Sequence, residues 1–160
     1  MAYNGKRLIR LDIVNGNPRS FVAPAALEQG MFLEIVGKAE NVELGVEADY
    51  EAYKVQLASA DTVRGQLLLH ASVANQYDER LSEVDFVLPK GKVGRGYQPV
   101  MGDIVTIAKI DGAKVGNKLA LGADGLLQVS DSNPIAVVEA LEEINIPEAD
   151  PQPSMVIRFL

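Results

Sequence analysis

The side chains best equipped for chemistry in this chain are few and scattered. There is one histidine, His70, and no cysteine. His70 closes the apolar run Gln66-Leu67-Leu68-Leu69-His70. As a general base it would need a serine nucleophile and an orienting carboxylate, and no Gly-x-Ser-x-Gly elbow is present. A histidine that caps a strand edge or bonds a backbone carbonyl fits the same position. Zinc wants Cys and His, which the chain does not supply in number. Calcium needs several clustered oxygens. Asp124 with Asp131, and Asp78 with Glu79, sit in loop-like sequence without EF-hand spacing, so solvated turn acids are the simpler reading. Glu139, Glu142 and Glu143 could supply the two facing carboxylates of a glycosidase. With 6% aromatics and no Trp, the chain offers little to line a sugar groove. The residue types argue against an enzyme and indicate no catalytic residue, no cofactor and no metal.

One segment stands apart. Lys90-Gly91-Lys92-Val93-Gly94-Arg95-Gly96-Tyr97 reads as a basic glycine loop. From Lys90 to Lys118 there are six bases (90, 92, 95, 109, 114, 118) and two acids (103, 111). That stretch is +4 in a chain of −7, so the remainder carries −11. Glycine-rich amides beside basic side chains can cradle phosphate. The loop does not match the P-loop pattern, and no strand–loop–helix context follows it. A loop that orders on an acidic protein partner and a plain solvated hairpin loop both fit.

Composition sets the class. A chain of 17.2 kDa fits one domain spanning 1–160, or two small β lobes (1–88 and 97–160) sharing a core and joined by the basic loop 89–96. Hydrophobic residues make up 48%, enough for a core built mainly from Val, Ile, Leu and Ala. The net charge of −7 should repel bulk nucleic acid and anionic membranes. The absence of Cys fits a reducing compartment. The opening Met-Ala-Tyr-Asn-Gly-Lys-Arg has no apolar core of a signal peptide, and no apolar run approaches the ~20 residues of a membrane span. Synthesis in a cytoplasm is expected.

Short strand patterns must position whatever function there is. Residues 7–14 alternate, with Ile9, Leu11 and Ile13 on one face and Leu8, Arg10 and Asp12 on the other. Asn15-Gly16-Asn17-Pro18 is a turn, so residues 7–23 predict a hairpin. Residues 24–29 (PAALEQ) predict one helical turn stopped by Gly30. Strands are expected at 31–36, 53–57, 66–70, 84–88, 103–110, 118–121, 126–129, 135–141 and 155–160. The run 66–70 has no polar break and should be buried on both faces. Residues 122–125 (GADG) predict a hairpin turn. Residues 71–83 are the least β-like, a short helix or ordered loop. Residues 139–150 hold five acids and no base, and with Pro147, Pro151 and Pro153 they read as a stiff connector. Pro24…Gly30-Met31-Phe32 echoes Pro99-Val100-Met101-Gly102-Asp103-Ile104, which is best read as a common way to lead into a strand. The expected fold is all-β: a compact sandwich or barrel of about ten short strands with at most one or two short helices.

The last third of the chain carries a resemblance. Pro99-Val100-Met101-Gly102-Asp103-Ile104-Val105-Thr106-Ile107 precedes the Gly-bounded Gly116-Asn117-Lys118-Leu119-Ala120-Leu121-Gly122-Ala123-Asp124-Gly125-Leu126-Leu127-Gln128-Val129. Asn133-Pro134-Ile135-Ala136-Val137-Val138-Glu139-Ala140 and a closing Met155-Val156-Ile157-Arg158-Phe159-Leu160 follow. This order resembles the small β-rich capsid decoration (cement) proteins of tailed bacteriophages. It departs from them at Ala136, where Gly is expected, and in a longer acidic, Pro-rich insert at 142–153. Residues 1–60 share only the general style.

The resemblance implies a structural protein on the exterior of the virion. It would bind the outer surface of an assembled capsid and clamp neighbouring coat subunits. Its partners would be the major capsid protein and itself, as a homotrimer, with no nucleic acid and no membrane. Tyr3, Lys6 and Arg7 of the amino-terminal segment, and Lys90, Lys92, Arg95 and Tyr97 of the basic loop, are the residues expected to reach coat subunits. Two alternatives stay open: another virion β-module (tail tube, head completion or receptor binding), and a small hydrolase or ligand-binding barrel.

Overall fold

The structure is a computed structural model and describes residues 8–39, 52–72, 87–144 and 152–160. Its strands are β1 (Leu8–Ile13), β2 (Pro18–Val22), β3 (Leu27–Glu28), β4 (Phe32–Lys38), β5 (Ala52–Leu57), β6 (Leu67–His70), β7 (Val87–Leu88), β8 (Val93–Tyr97), β9 (Ile104–Ala108), β10 (Lys118–Leu121), β11 (Leu127–Val129), β12 (Ala136–Ile144) and β13 (Gln152–Phe159). Helical structure among the described residues is confined to single turns at Arg64–Gln66 and Ala123–Gly125. The protein is all-β, as its composition and turn spacing indicate.

The strands form two bodies. β2, β5, β4, β6 and β8 close a barrel in that order. β1, β9, β13, β12, β10 and β11 form an open six-stranded sheet. β3 and β7 pair separately. Among the described ladders only β2–β5 is parallel.

The wall shared by the two bodies explains the apolar runs. In a strand, successive side chains point to opposite faces. Phe32 of β4 and Leu67 and Leu69 of β6 face the sheet, in a core with Ile107, Leu119, Met155, Ile157 and Phe159. Leu33 of β4 and Leu68 of β6 face into the barrel, with Phe21, Leu27, Val55 and Leu88. All four residues of β6 are buried, as a run with no polar break predicts. Phe32 meets Phe159 edge-on at 6.1 Å between ring centroids.

Four local expectations give way to tertiary structure. Residues 7–23 are not a hairpin: β1 pairs with β9, while β2 pairs with β5 and β8. The Asn15–Pro18 turn carries the chain from sheet to barrel. The clean alternation of β1 is broken by register shifts between Leu8 and Arg10 and between Leu11 and Ile13, which leave Leu11 and Ile13 exposed. Residues 24–29 form no helical turn, because Leu27 is fully buried in the barrel core and β3 pairs with β7. Residues 90–97 are not one loop. Only the tight turn at Gly91 (φ 82°) is, and Val93 to Tyr97 form barrel strand β8.

β8 shows why its glycines are there. Gly94 and Gly96 are buried, and Arg95 between them is exposed. A Cβ on Gly94 would lie 2.5 Å from Leu88 Cδ2 and 2.8 Å from Phe21 Cζ. One on Gly96 would lie 2.8 Å from the Leu69 carbonyl oxygen. The barrel is too narrow at this strand for any inward side chain.

β12 extends to Ile144, and its ladder with β13 continues to Gln152, so the acidic stretch is paired strand at its start. β10 and β11 form the expected hairpin, with Asp124 (φ 56°) and Gly125 (φ 71°) in its turn. β13 lies inside the sheet between β9 and β12, and Leu160 N–H still donates to the Ile135 carbonyl. The echoed glycines Gly30 and Gly102 both have φ 91° ahead of β4 and β9.

Asp103 ties the two chain crossings between sheet and barrel together. Its carboxylate is buried and accepts backbone N–H groups from Asn15 (2.8 Å), Gly16 (3.2 Å) and Val100 (3.1 Å). Gly16 passes so close that a Cβ there would sit 1.9 Å from the Gln98 carbonyl oxygen. Gly16→Ala is expected to destabilise the fold by about 3 kcal/mol or more, because backbone rather than a side chain must move. Asp103→Ala should cost about 2–4 kcal/mol by leaving buried amides without an acceptor. Gly37→Ala, where a Cβ meets nothing within 4 Å, should change stability by less than about 0.5 kcal/mol. Urea denaturation of the three variants checks the order.

Candidate functional site

The single histidine is locked inside the barrel wall. His70 is fully buried at the end of β6. Its Nδ1 lies 2.9 Å from the Glu28 carbonyl oxygen and its Nε2 2.7 Å from Ser72 Oγ. A carbonyl only accepts, so Nδ1 carries the proton and Nε2 accepts from the Ser72 hydroxyl. Ser72 Oγ in turn accepts the Arg95 N–H at 3.0 Å. Phe21 meets the imidazole edge-on at 5.4 Å. This serine–histidine pair has a backbone carbonyl where a triad has its carboxylate, and Ser72 is itself buried. The contacts join β3, β6 and β8. The reading in which His70 bonds a backbone carbonyl describes it.

The carboxylates are engaged or dispersed. Glu139 pairs with Arg158, and Glu142 with Arg10 at 3.2 Å. Arg10 also pairs with Asp12, and both reach Thr106, at 3.1 and 2.8 Å. These neighbouring carboxylates raise the Arg10 pKa, the Asp12 hydrogen bond most. This network covers Thr106, which is fully buried. Asp124 and Asp131 are exposed turn residues. Asp78 and Glu79 fall outside the described residues. Among the described residues no group of three His, Asp or Glu side chains is placed to hold a metal ion.

The basic stretch is split by the fold. Lys90 and Lys92 are exposed at the turn between β7 and β8, where Gly91 N–H donates to the Ala23 carbonyl and Ala23 N–H to that of Lys92. Tyr97, half-buried, ends β8 opposite Pro18 of β2 and Leu69 of β6. Arg95 points outward and donates from Nη1 to Ser20 Oγ at 2.9 Å. Tyr3, Lys6 and Arg7 lie outside the described residues.

Arg95 joins two cations that lie far from it in the chain. A groove of about 440 Å³ is lined by Arg19, Lys38, Arg95, Ser20 and Tyr53, with Pro18 and Ala52 at its sides. Arg19 donates from Nε to Gln98 Oε1 at 3.1 Å, and its guanidinium carbon lies 5.9 Å from the Tyr53 ring centroid. These residues come from β2, β4, β5 and β8. Their spacing of tens of positions is closed by barrel pairing, Ser20 opposite both Ala52 and Arg95, and Tyr53 opposite Lys38. A second surface feature is apolar: Met101 and Val100 are exposed beside Leu160 and Arg64.

Burial holds the His70 pKa below its ordinary value of 6.5, against the weaker pull of the Glu28 carbonyl. The folded state therefore keeps a neutral imidazole where the unfolded chain takes up a proton. Stability is full above pH 6.5 and falls as pH drops below it toward the folded-state value. The slope for one proton is at most about 1.4 kcal/mol per pH unit. Urea denaturation at steps between pH 7.5 and 5.5 should show it, and His70→Gln should flatten it while lowering stability throughout.

No protein-family model matches this chain, and no curated protein matches it.

Proposed function

We propose that this protein is a structural binding protein of a tailed-bacteriophage virion, which attaches to the outer surface of the assembled capsid and clamps neighbouring coat subunits. The observation that carries this reading is the fate of the reactive groups. His70 and Ser72 are consumed by backbone contacts inside the barrel, and Asp103 by the crossing between barrel and sheet. The outward face of β8 and its turn present Lys90, Lys92 and Arg95 instead. A two-body β shell with β13 held between two neighbours in its sheet suits a part that transmits load. The identity of the partner rests on the likeness of residues 99–160 to capsid decoration proteins. On this reading the protein works without catalysis, associates with itself as a trimer, and touches the shell through the 90–97 region and the segment holding Tyr3, Lys6 and Arg7. Copies repeated on a symmetric shell gain avidity from individually weak contacts.

Quantitative mass spectrometry of gradient-purified particles tests it. A ratio to coat protein near one, or a simple fraction of one, is expected. A handful of copies per particle would move the protein to the tail or the portal vertex, and absence from particles would overturn the virion reading. Co-sedimentation should show binding to assembled shells and not to free coat subunits, and equilibrium sedimentation of the free protein should show a trimer.

A further inference from the structure

The groove on the barrel gathers three cations that no carboxylate among the described residues neutralises. Of the five arginines among the described residues, Arg10 and Arg158 pair with carboxylates, and Arg64 lies 5.8 Å from the centroid of the Phe159 ring, within the attraction of Asp103. Arg19 and Arg95 have no carboxylate oxygen within 4.0 Å among the described residues, and neither does Lys38. These three line the same groove.

Each guanidinium group is held in place by one side-chain hydrogen bond, and that of Arg19 also by an aromatic ring. Arg19 uses Nε on Gln98 and lies over Tyr53; Arg95 uses Nη1 on Ser20. Their remaining N–H donors form planar forks that match the two oxygens of a carboxylate. Holding a long side chain still before a ligand arrives lowers the entropy lost on binding. Lys38 adds a point charge at the opposite side of Tyr53 from β2. Like charges around one concavity repel, and an anion relieves that repulsion.

We propose that this groove binds an acidic peptide segment of a partner protein, with carboxylates on the Arg19 and Arg95 forks and on the Lys38 ammonium. The proposal names the partner chemistry of a groove that shares Arg95 with the surface assigned above, and so rests on the reading that the protein binds another protein. Two observations favour a peptide over nucleic acid. The chain as a whole is −7, so its field opposes a dense polyanion while a local patch still attracts a few carboxylates. The groove also has a Tyr53 wall, against which the methylene stems of glutamate side chains pack.

Fluorescence anisotropy of a labelled peptide of three glutamates interleaved with alanines, titrated with the full-length protein at low salt, tests this directly. Saturable binding is expected, weakened about tenfold or more by Arg19→Gln or Arg95→Gln. Lys38→Gln should weaken it as well; that exposed side chain has no ion-pair partner among the described residues, so the variant guards against a folding artefact. Lys114→Gln, the same charge change in an exposed turn of the other body, should leave it unchanged. Three results would overturn the proposal: no saturable binding, equal weakening by Lys114→Gln, or displacement of the peptide by inorganic phosphate or a single-stranded oligonucleotide at far lower concentration. Particle copy number is a separate readout. Peptide binding by a protein absent from particles keeps the groove and sinks the virion reading; a shell-bound protein that ignores the peptide does the reverse.

Discussion

The arrangement of this molecule depends on a wall of strand that is apolar on both faces. β4 offers Phe32 to one side and Leu33 to the other, and β6 offers Leu67 and Leu69 to one side and Leu68 to the other. A strand apolar on one face needs one covering layer. A strand apolar on both needs two. The barrel closes around the inner face and the six-stranded sheet covers the outer one. Neither body can be peeled away without exposing half of the same wall.

Two bodies on one wall oblige the chain to cross between them, and crossings expose backbone polar groups that a ladder would have satisfied. The crossings from β1 to β2 and from β8 to β9 run side by side. The Asp103 carboxylate satisfies amides of both, and Gly16 allows the approach. His70 does the equivalent work within the barrel, accepting from Ser72 and donating to Glu28 where short strands leave groups unpaired. Among the described residues, the lone histidine and Asp103 are thus engaged by backbone groups and by Ser72. That is the physical root of the binding-protein reading.

On the binding-protein reading, recognition falls to the surface. There the fold separates residues that are adjacent in sequence and gathers residues that are distant. Lys90 and Lys92 lie at one end of β8, while Arg95 turns outward beside Arg19 and Lys38 of other strands. The cationic concavity takes only Arg95 from the glycine-rich segment and its other two cations from β2 and β4. The glycines of that segment serve closure, since Gly94 and Gly96 face a core with no room for a Cβ.

The sequence by itself determined the all-β class, the two-sided burial of residues 67–70, the GADG hairpin and the strand that closes the chain. Each of these follows from a pattern of period two or from a turn residue within a few positions, so the information is local. It also carried the candidate Arg95, through its place in a basic run, but held no signal for Arg19 or Lys38. Only the tertiary structure decided that residues 7–23 split between two bodies, that PAALEQ forgoes a helical turn to bury Leu27, and that a glycine-rich run is a barrel strand. In each case a weak local preference of under about 1 kcal/mol per residue met the burial of a large apolar side chain or the closure of a barrel, which are worth more and act between residues far apart in the chain.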